Sequence, residues 1–240
     1  MKKTAFVLFC LFLLTSFSSF AFRGDLDQGI YELNRGNFKA AINEFEPLLA
    51  QEYSPAQYQM AVIYLNGYGV QKNPDKALEL FSLAASQNHP DALFSLSLLY
   101  SEGEIVEQDL QTAFALMERS AIRDLVAAQF NLGVMYFNGQ GTNTDYKKAA
   151  RWYKTAAKQN YALAQFNLAL LYFEGLGVEK SIKMSYVWNI ISASNGYENA
   201  KKSRDMDALK LNSLEISQAR EKADRLYKQF IEQEELKTKQ

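Results

Sequence analysis

Few side chains in this sequence could carry covalent or metal chemistry. His89 is the only histidine and is followed by Pro90 in a polar turn. A lone imidazole there is expected to be solvated rather than to act as a ligand or general base. Cys10 is the only cysteine, so the usual sulfur-ligated zinc sites are excluded, and no H-E-x-x-H or EF-hand pattern occurs. The glycines of G-Y-G-V (67–70) and G-L-G-V (175–178) lack the G-K-[ST] ending of a phosphate loop and follow helical patterns, which makes them connectors. Glu232, Glu234 and Glu235 lie on a mostly polar C-terminal helix and read as a solvated face. The expectation is therefore no catalytic residue, no metal ligand and no cofactor.

A recurrent set of apolar residues offers binding chemistry instead. Tyr58, Phe94, Phe130 and Phe166 form an aromatic column, with Val62, Leu98, Val134 and Leu170 four residues on. Leu65, Ser101, Phe137 and Phe173 come three residues later. Spacing of i, i+4, i+7 places the three columns on one stripe of a helix. Asn66, Glu102, Asn138 and Glu174 follow directly and would give that stripe a polar rim. Two readings remain open for the stripe: core, if neighbouring helices cover it from both sides, or a partner-facing apolar patch, if they do not.

The elements that carry the stripe recur every 36 residues without insertion. Tyr64, Tyr100, Tyr136 and Tyr172 mark the period, joined by small residues at Ala56, Ala92, Ala128 and Ala164 and at Ala77, Ala113, Ala149 and Ser185. Met60, Leu96, Leu132 and Leu168 add an apolar column. These columns, the tyrosines included, are expected to be core. A fixed period in the 20–50 residue range signals a stacked array. Each copy reads as two helices. The first (55–66 in the first copy) stops at Gly67, Gly103, Gly139 or Gly175, where a residue tolerant of positive φ closes a helix. The second starts after Asn73, Asp109, Asp145 or Ser181, all N-cap residues. It ends at Asn88, Asp124, Asn160 or Gly196, which suit left-handed caps. The second loop glycine, present at Gly69, Gly141 and Gly177, is Ile105 in the 90–125 copy. A β-branched residue at positive φ would be an outlier, so that loop is expected to take another path.

The pattern A-x-x-x-L-G-x-x-Y-x-x-G-x-G-V-x-x-[DN]-x-x-K-A-x-x-W-[YF]-x-x-A-A resembles the Sel1-like repeat, a subclass of tetratricopeptide-type helical repeats. Residues 128–157 match best, 56–85 and 164–193 follow well, and 92–121 less so. Ser185 and Asn189 stand where alanine and an aromatic are usual, which predicts looser or more polar packing against the C-terminal cap. The resemblance implies an all-α fold, a right-handed α-solenoid of antiparallel helix pairs whose first helices line the concave face. The expected organisation is a signal peptide at 1–21, a half-repeat cap at 22–53, repeats at 54–89, 90–125, 126–161 and 162–197, and capping helices with a frayed tail over 198–240.

It also implies function in broad terms. Such proteins act mostly as adaptors, and exported bacterial members are linked to envelope assembly and host-cell interaction. The expected site is the concave face, with Tyr58, Phe94, Leu98, Phe130, Val134, Phe137, Phe166, Leu170 and Phe173 as apolar contacts and Asn138 and Glu174 beside them. A cysteine-rich branch of the family is associated with binding or hydrolysing penicillin-like compounds. A cell-wall or penicillin-directed protein is therefore the alternative, weakened because no cysteine follows residue 21.

Composition is that of a globular chain with a buried core. The 240 residues are 48% hydrophobic and 22% charged, with four prolines. Lys2 and Lys3 followed by the apolar run 5–14 and Ser19-Phe20-Ala21 have the layout of a secretory signal. Removing them leaves 24 basic against 27 acidic residues, a net charge of −3. That balance argues against nucleic acid or an anionic membrane as principal partner. The expectation is a periplasmic or secreted monomer that binds a protein or peptide, with no stable membrane insertion after cleavage.

Overall fold

The computed structural model describes residues 24–238, which form helices and connecting loops with no strand among them. The signal sequence expected at 1–21 lies outside the described residues, as do the last two residues of the tail expected to fray. The chain divides into two compact units, Met1–Leu80 and Phe81–Gln240.

In the first unit, α1 (Leu26–Asn34) and α2 (Phe38–Leu49) form a short hairpin that turns at Gly36, where φ is +77°. α3 (Ser54–Asn66) follows, and α4 (Pro74–Ser86) begins inside this unit and continues into the next. Phe45, Met60 and Ile63 are fully buried here. Each such side chain contributes about 1.5–3 kcal/mol of burial.

The second unit repeats one helix pair three times: α5 (Pro90–Glu102) with α6 (Leu110–Ile122), α7 (Val126–Asn138) with α8 (Tyr146–Ala157), and α9 (Ala162–Glu174) with α10 (Ile182–Ser194). Two helices follow, α11 (Glu198–Ala208) and α12 (Ser213–Thr238), and both pack on α10. The fold class is an all-α solenoid of antiparallel helix pairs. α7 is apolar on nearly every side and is correspondingly buried at Phe130, Leu132, Met135 and Tyr136. α8 is two-faced. Ala149, Ala150, Tyr153, Ala156 and Ala157 are buried, while Lys147, Lys148, Arg151 and Lys154 face water. Its alanines keep the neighbouring helices close.

The repeated start and stop signals act as their chemistry requires. Asn73, Asp109, Asp145 and Ser181 accept from the amides of Lys76, Thr112, Lys148 and Met184 at 3.0–3.2 Å, caps worth about 0.5–2 kcal/mol each. The same four residues donate their own N–H to the carbonyls of Tyr64, Tyr100, Tyr136 and Tyr172, at 2.8–2.9 Å. The tyrosine column thus locks each hairpin through its backbone. Its rings vary: Tyr136 is buried and the other three are half-buried. Asn88, Asp124 and Asn160 take positive φ as left-handed caps, and Ile105 does not. The second loop glycine has a further role. A Cβ on Gly141 would lie 1.9 Å from the Leu110 carbonyl oxygen, and one on Gly177 2.1 Å from that of Tyr146. Each loop therefore seats directly on the second helix of the preceding repeat.

The C-terminal helix opens with the expected reciprocal cap. The Asn212 amide donates to Glu215 Oε2, and the Glu215 amide donates to Asn212 Oδ1, both at 2.9 Å. Trp188 of α10 stacks on Phe230 of α12 at 6.0 Å.

Candidate partner-binding site

The stripe splits into covered and uncovered parts. In the first unit, Tyr58, Val62 and Leu65 are half-buried and Asn66 is exposed. In the second, Phe94, Leu98, Val134 and Phe137 are half-buried and pack against the core. Phe130 is a correction to the sequence expectation. It is only 9% exposed, with its ring 5.8 Å from Tyr153 and 5.2 Å from Tyr161, so it belongs to the core. Coverage falls along α9. Phe166 is half-buried against Tyr197 at 5.0 Å, Phe173 is half-buried, and Leu170 is 44% exposed. Asn138 and Glu174 are exposed beside the stripe.

At the α9 end the stripe opens into a cavity of about 190 Å³ between α9, α10 and α11. Phe166, Leu170, Phe173 and Met206 form its apolar walls, with Glu174 at its edge. Ser185, Asn189 and Asp207 contribute polar groups and are 1%, 2% and 1% exposed. Ser185 Oγ donates to Asp207 Oδ2 at 2.7 Å, and Asn189 Nδ2 donates to the same oxygen at 2.9 Å. Burial holds the Asp207 carboxyl above the usual carboxylate range, opposed by these two hydrogen bonds and by the charge of Lys210. Lys210 Nζ itself sits 4.0 Å from the centre of the Phe173 ring, a cation–π contact. Asn189 Oδ1 is buried without a partner.

This cluster escaped the site expectation, although part of its signal was visible. Ser185 and Asn189 break their columns, and the structure shows both reaching Asp207, 22 and 18 residues along the chain. Asp207 itself gave no sign, since it sits in a run of charged residues. A second missed feature is the glutamine column Gln57, Gln129 and Gln165, buried in all three cases. Gln129 Nε2 donates to Asp124 Oδ1 at 2.9 Å, and Gln165 Nε2 donates to the Ala157 carbonyl at 2.9 Å. Their Oε1 atoms accept from Gln159 and Asn195. The amides of Gln129 and Gln165 thus staple α7 and α9 each to the ends of two second helices.

His89 is also corrected. It is half-buried, and its Nδ1 accepts from the Ala92 amide at 3.4 Å as the N-cap of α5. Burial pushes its pKa down, with Asp91 pulling the other way. Among the described residues no group of three or more His, Cys, Asp or Glu could hold a metal ion. No helix among them is long and apolar enough to cross a membrane.

The family model for the Sel1 repeat matches residues 54–89, 90–124, 126–161 and 162–197. No curated protein matches the chain. A crystal structure of a protective antigen present in uropathogenic Escherichia coli strains, displaying an SLR fold, superposes with a TM-score of 0.72 at 28% identity. That match covers 86% of this chain, which spans only 44% of the antigen. A Sel1 repeat protein from Oxalobacter formigenes gives a TM-score of 0.73 at 24% identity, covering 87% of this chain and 85% of that one.

Proposed function

The chain belongs to the Sel1 repeat family, whose members are generally protein-interaction scaffolds, and from that premise we propose that it is a non-enzymatic adaptor of the bacterial periplasm or secreted space. It holds an extended segment of a partner protein against the uncovered part of the first-helix stripe, chiefly Phe166, Leu170 and Phe173 with Asn138 and Glu174 beside them. Phe94, Leu98, Val134 and Phe137 extend the contact surface. The observation that carries this reading is the opening at α9, where Leu170 is exposed beside a cavity of about 190 Å³. Partly uncovered apolar side chains next to buried polar groups are a usual setting for recognising a side chain. The polar cluster supports a binding role over a reacting one. Ser185 donates to a carboxylate, and the single histidine serves as a helix cap.

A photo-crosslinking residue placed at 170, with one at 154 on the exposed face of α8 as its counterpart, tests the assignment in cells. A discrete protein adduct from position 170 and none from 154 is expected, in the envelope or culture-supernatant fraction. Adducts from 154 alone would overturn the site, and a cytoplasmic fractionation pattern would overturn the location.

A further inference from the structure

The cavity at the α9 end has a chemistry more specific than an apolar groove, and resting on the adaptor reading above, we propose that it is a selectivity pocket for one lysine side chain of the partner segment. The pocket is small. At about 190 Å³ it falls short of the ~300–1,000 Å³ typical of small-molecule sites and suits a single long side chain.

The hydrogen-bond inventory then selects the ligand. Ser185 has given its one hydrogen to Asp207, and the Asn189 amide nitrogen donates to Asp207 Oδ2 and approaches Ser185 Oγ at 3.4 Å. The donors of the Ser185–Asn189–Asp207 trio are therefore engaged, and the other lining hydroxyl, Ser203, can accept as well as donate, while acceptors remain: the Asp207 carboxylate and the partnerless Asn189 Oδ1. A buried acceptor without a donor costs about 1–3 kcal/mol, so a ligand that supplies one recovers that cost. An entering carboxylate or phosphate would bring acceptors to acceptors and negative charge to Asp207 and Glu174. An uncharged amide would leave the desolvated carboxylate unneutralised.

An ammonium answers both needs, having three donors and a charge opposite to Asp207. A guanidinium fits less well. Its fork is best matched by two free carboxylate oxygens, and Asp207 Oδ2 already carries two bonds. The walls agree with this choice. Phe166, Leu170, Phe173 and Met206 would line the aliphatic stem, and the face of Phe173 already accepts the ammonium of Lys210. Lys210 is exposed and is the resident cation that an incoming lysine displaces.

The test uses the full chain and ten-residue peptides of apolar background differing only at the centre: lysine, arginine, norleucine or glutamate. Fluorescence anisotropy should show the lysine peptide binding at least ~10-fold tighter than norleucine and tighter than arginine, with glutamate weakest. Asp207→Asn, shown by circular dichroism to remain folded, should erase the lysine preference while keeping norleucine binding. N-acetyl-lysine methylamide alone should shift the side-chain amide resonance of Asn189. If lysine and norleucine bind equally and Leu170→Glu weakens both, the groove stands and the lysine pocket is overturned. If no peptide binds but N-acetyl-lysine methylamide still shifts Asn189, the pocket chemistry stands and the adaptor groove fails. Preference for glutamate, or an Asn189 resonance unmoved by the amine, would overturn the pocket.

Discussion

Phe130 and Leu170 occupy the same helical stripe, and alanine at each position separates core from surface. Phe130 is 9% exposed and touches the rings of Tyr153 and Tyr161 at 5.8 and 5.2 Å. Truncating a buried phenylalanine to alanine costs about 3–5 kcal/mol. Two tilted aromatic contacts, each worth about 0.5–1.5 kcal/mol beyond area, place this position in the upper part of that range. Leu170 is 44% exposed. A fully buried leucine contributes about 1.5–3 kcal/mol, so its half-covered side chain contributes about 1 kcal/mol. With a urea slope of about 2 kcal/mol per molar, Phe130→Ala should lower the unfolding midpoint by about 2 M and Leu170→Ala by about 0.5 M. Urea titration followed by far-ultraviolet circular dichroism measures both. Native-state hydrogen exchange of the α7 and α8 amides shows whether the loss is local, since an array can open one pair while others hold. Equal midpoint shifts, or a larger loss at Leu170, would refute the division of the stripe into core and surface.

Three further outcomes follow from particular groups. His89 caps α5 through a neutral Nδ1, and its folded pKa lies below 6.5. Its stabilisation is therefore present above pH 6.5 and is lost as pH falls through the lowered folded value. His89→Ala should cost about 1 kcal/mol at pH 8 and flatten that part of the stability–pH curve, as thermal melts across pH 5–8 will show. Asp207 behaves oppositely, because its folded pKa is raised above 3.8. Its contribution is fully present below pH 3.8 and is lost as pH rises through the folded value, so Asp207→Asn should remove that decline from acid melting curves. Gly177 and Gly196 both have positive φ, +68° and +88°. A Cβ meets the Tyr146 carbonyl at 2.1 Å on Gly177 and nothing within 4 Å on Gly196. Gly196→Ala should cost only the backbone term of about 1–2 kcal/mol, and Gly177→Ala distinctly more. Equal melting temperatures for the two variants would contradict the close seating of that loop.

The sequence by itself determined the helix pairs, because their starts and stops depend on local chemistry. Asn73, Asp109, Asp145 and Ser181 cap amides three residues away, and Gly67, Gly103, Gly139 and Gly175 supply the left-handed stop. Both effects act within one turn, so their spacing can be read directly. The Ile105 departure was legible for the same reason. Coverage was not legible, since a stripe position is buried or exposed according to helices distant in sequence. Phe130 and Phe166 share a column, yet Phe130 is enclosed by Tyr153 and Tyr161 while Phe166 borders an open cavity. The burial of Gln129 and Gln165 likewise depends on the carbonyl ends of neighbouring helices, which no local spacing places beside them.

Only the tertiary structure could bring Asp207 of α11 onto Ser185 and Asn189 of α10. Ser185 and Asn189 were visible as departures from their columns. Their purpose depended on a carboxylate that no period places and on the desolvation that packing imposes.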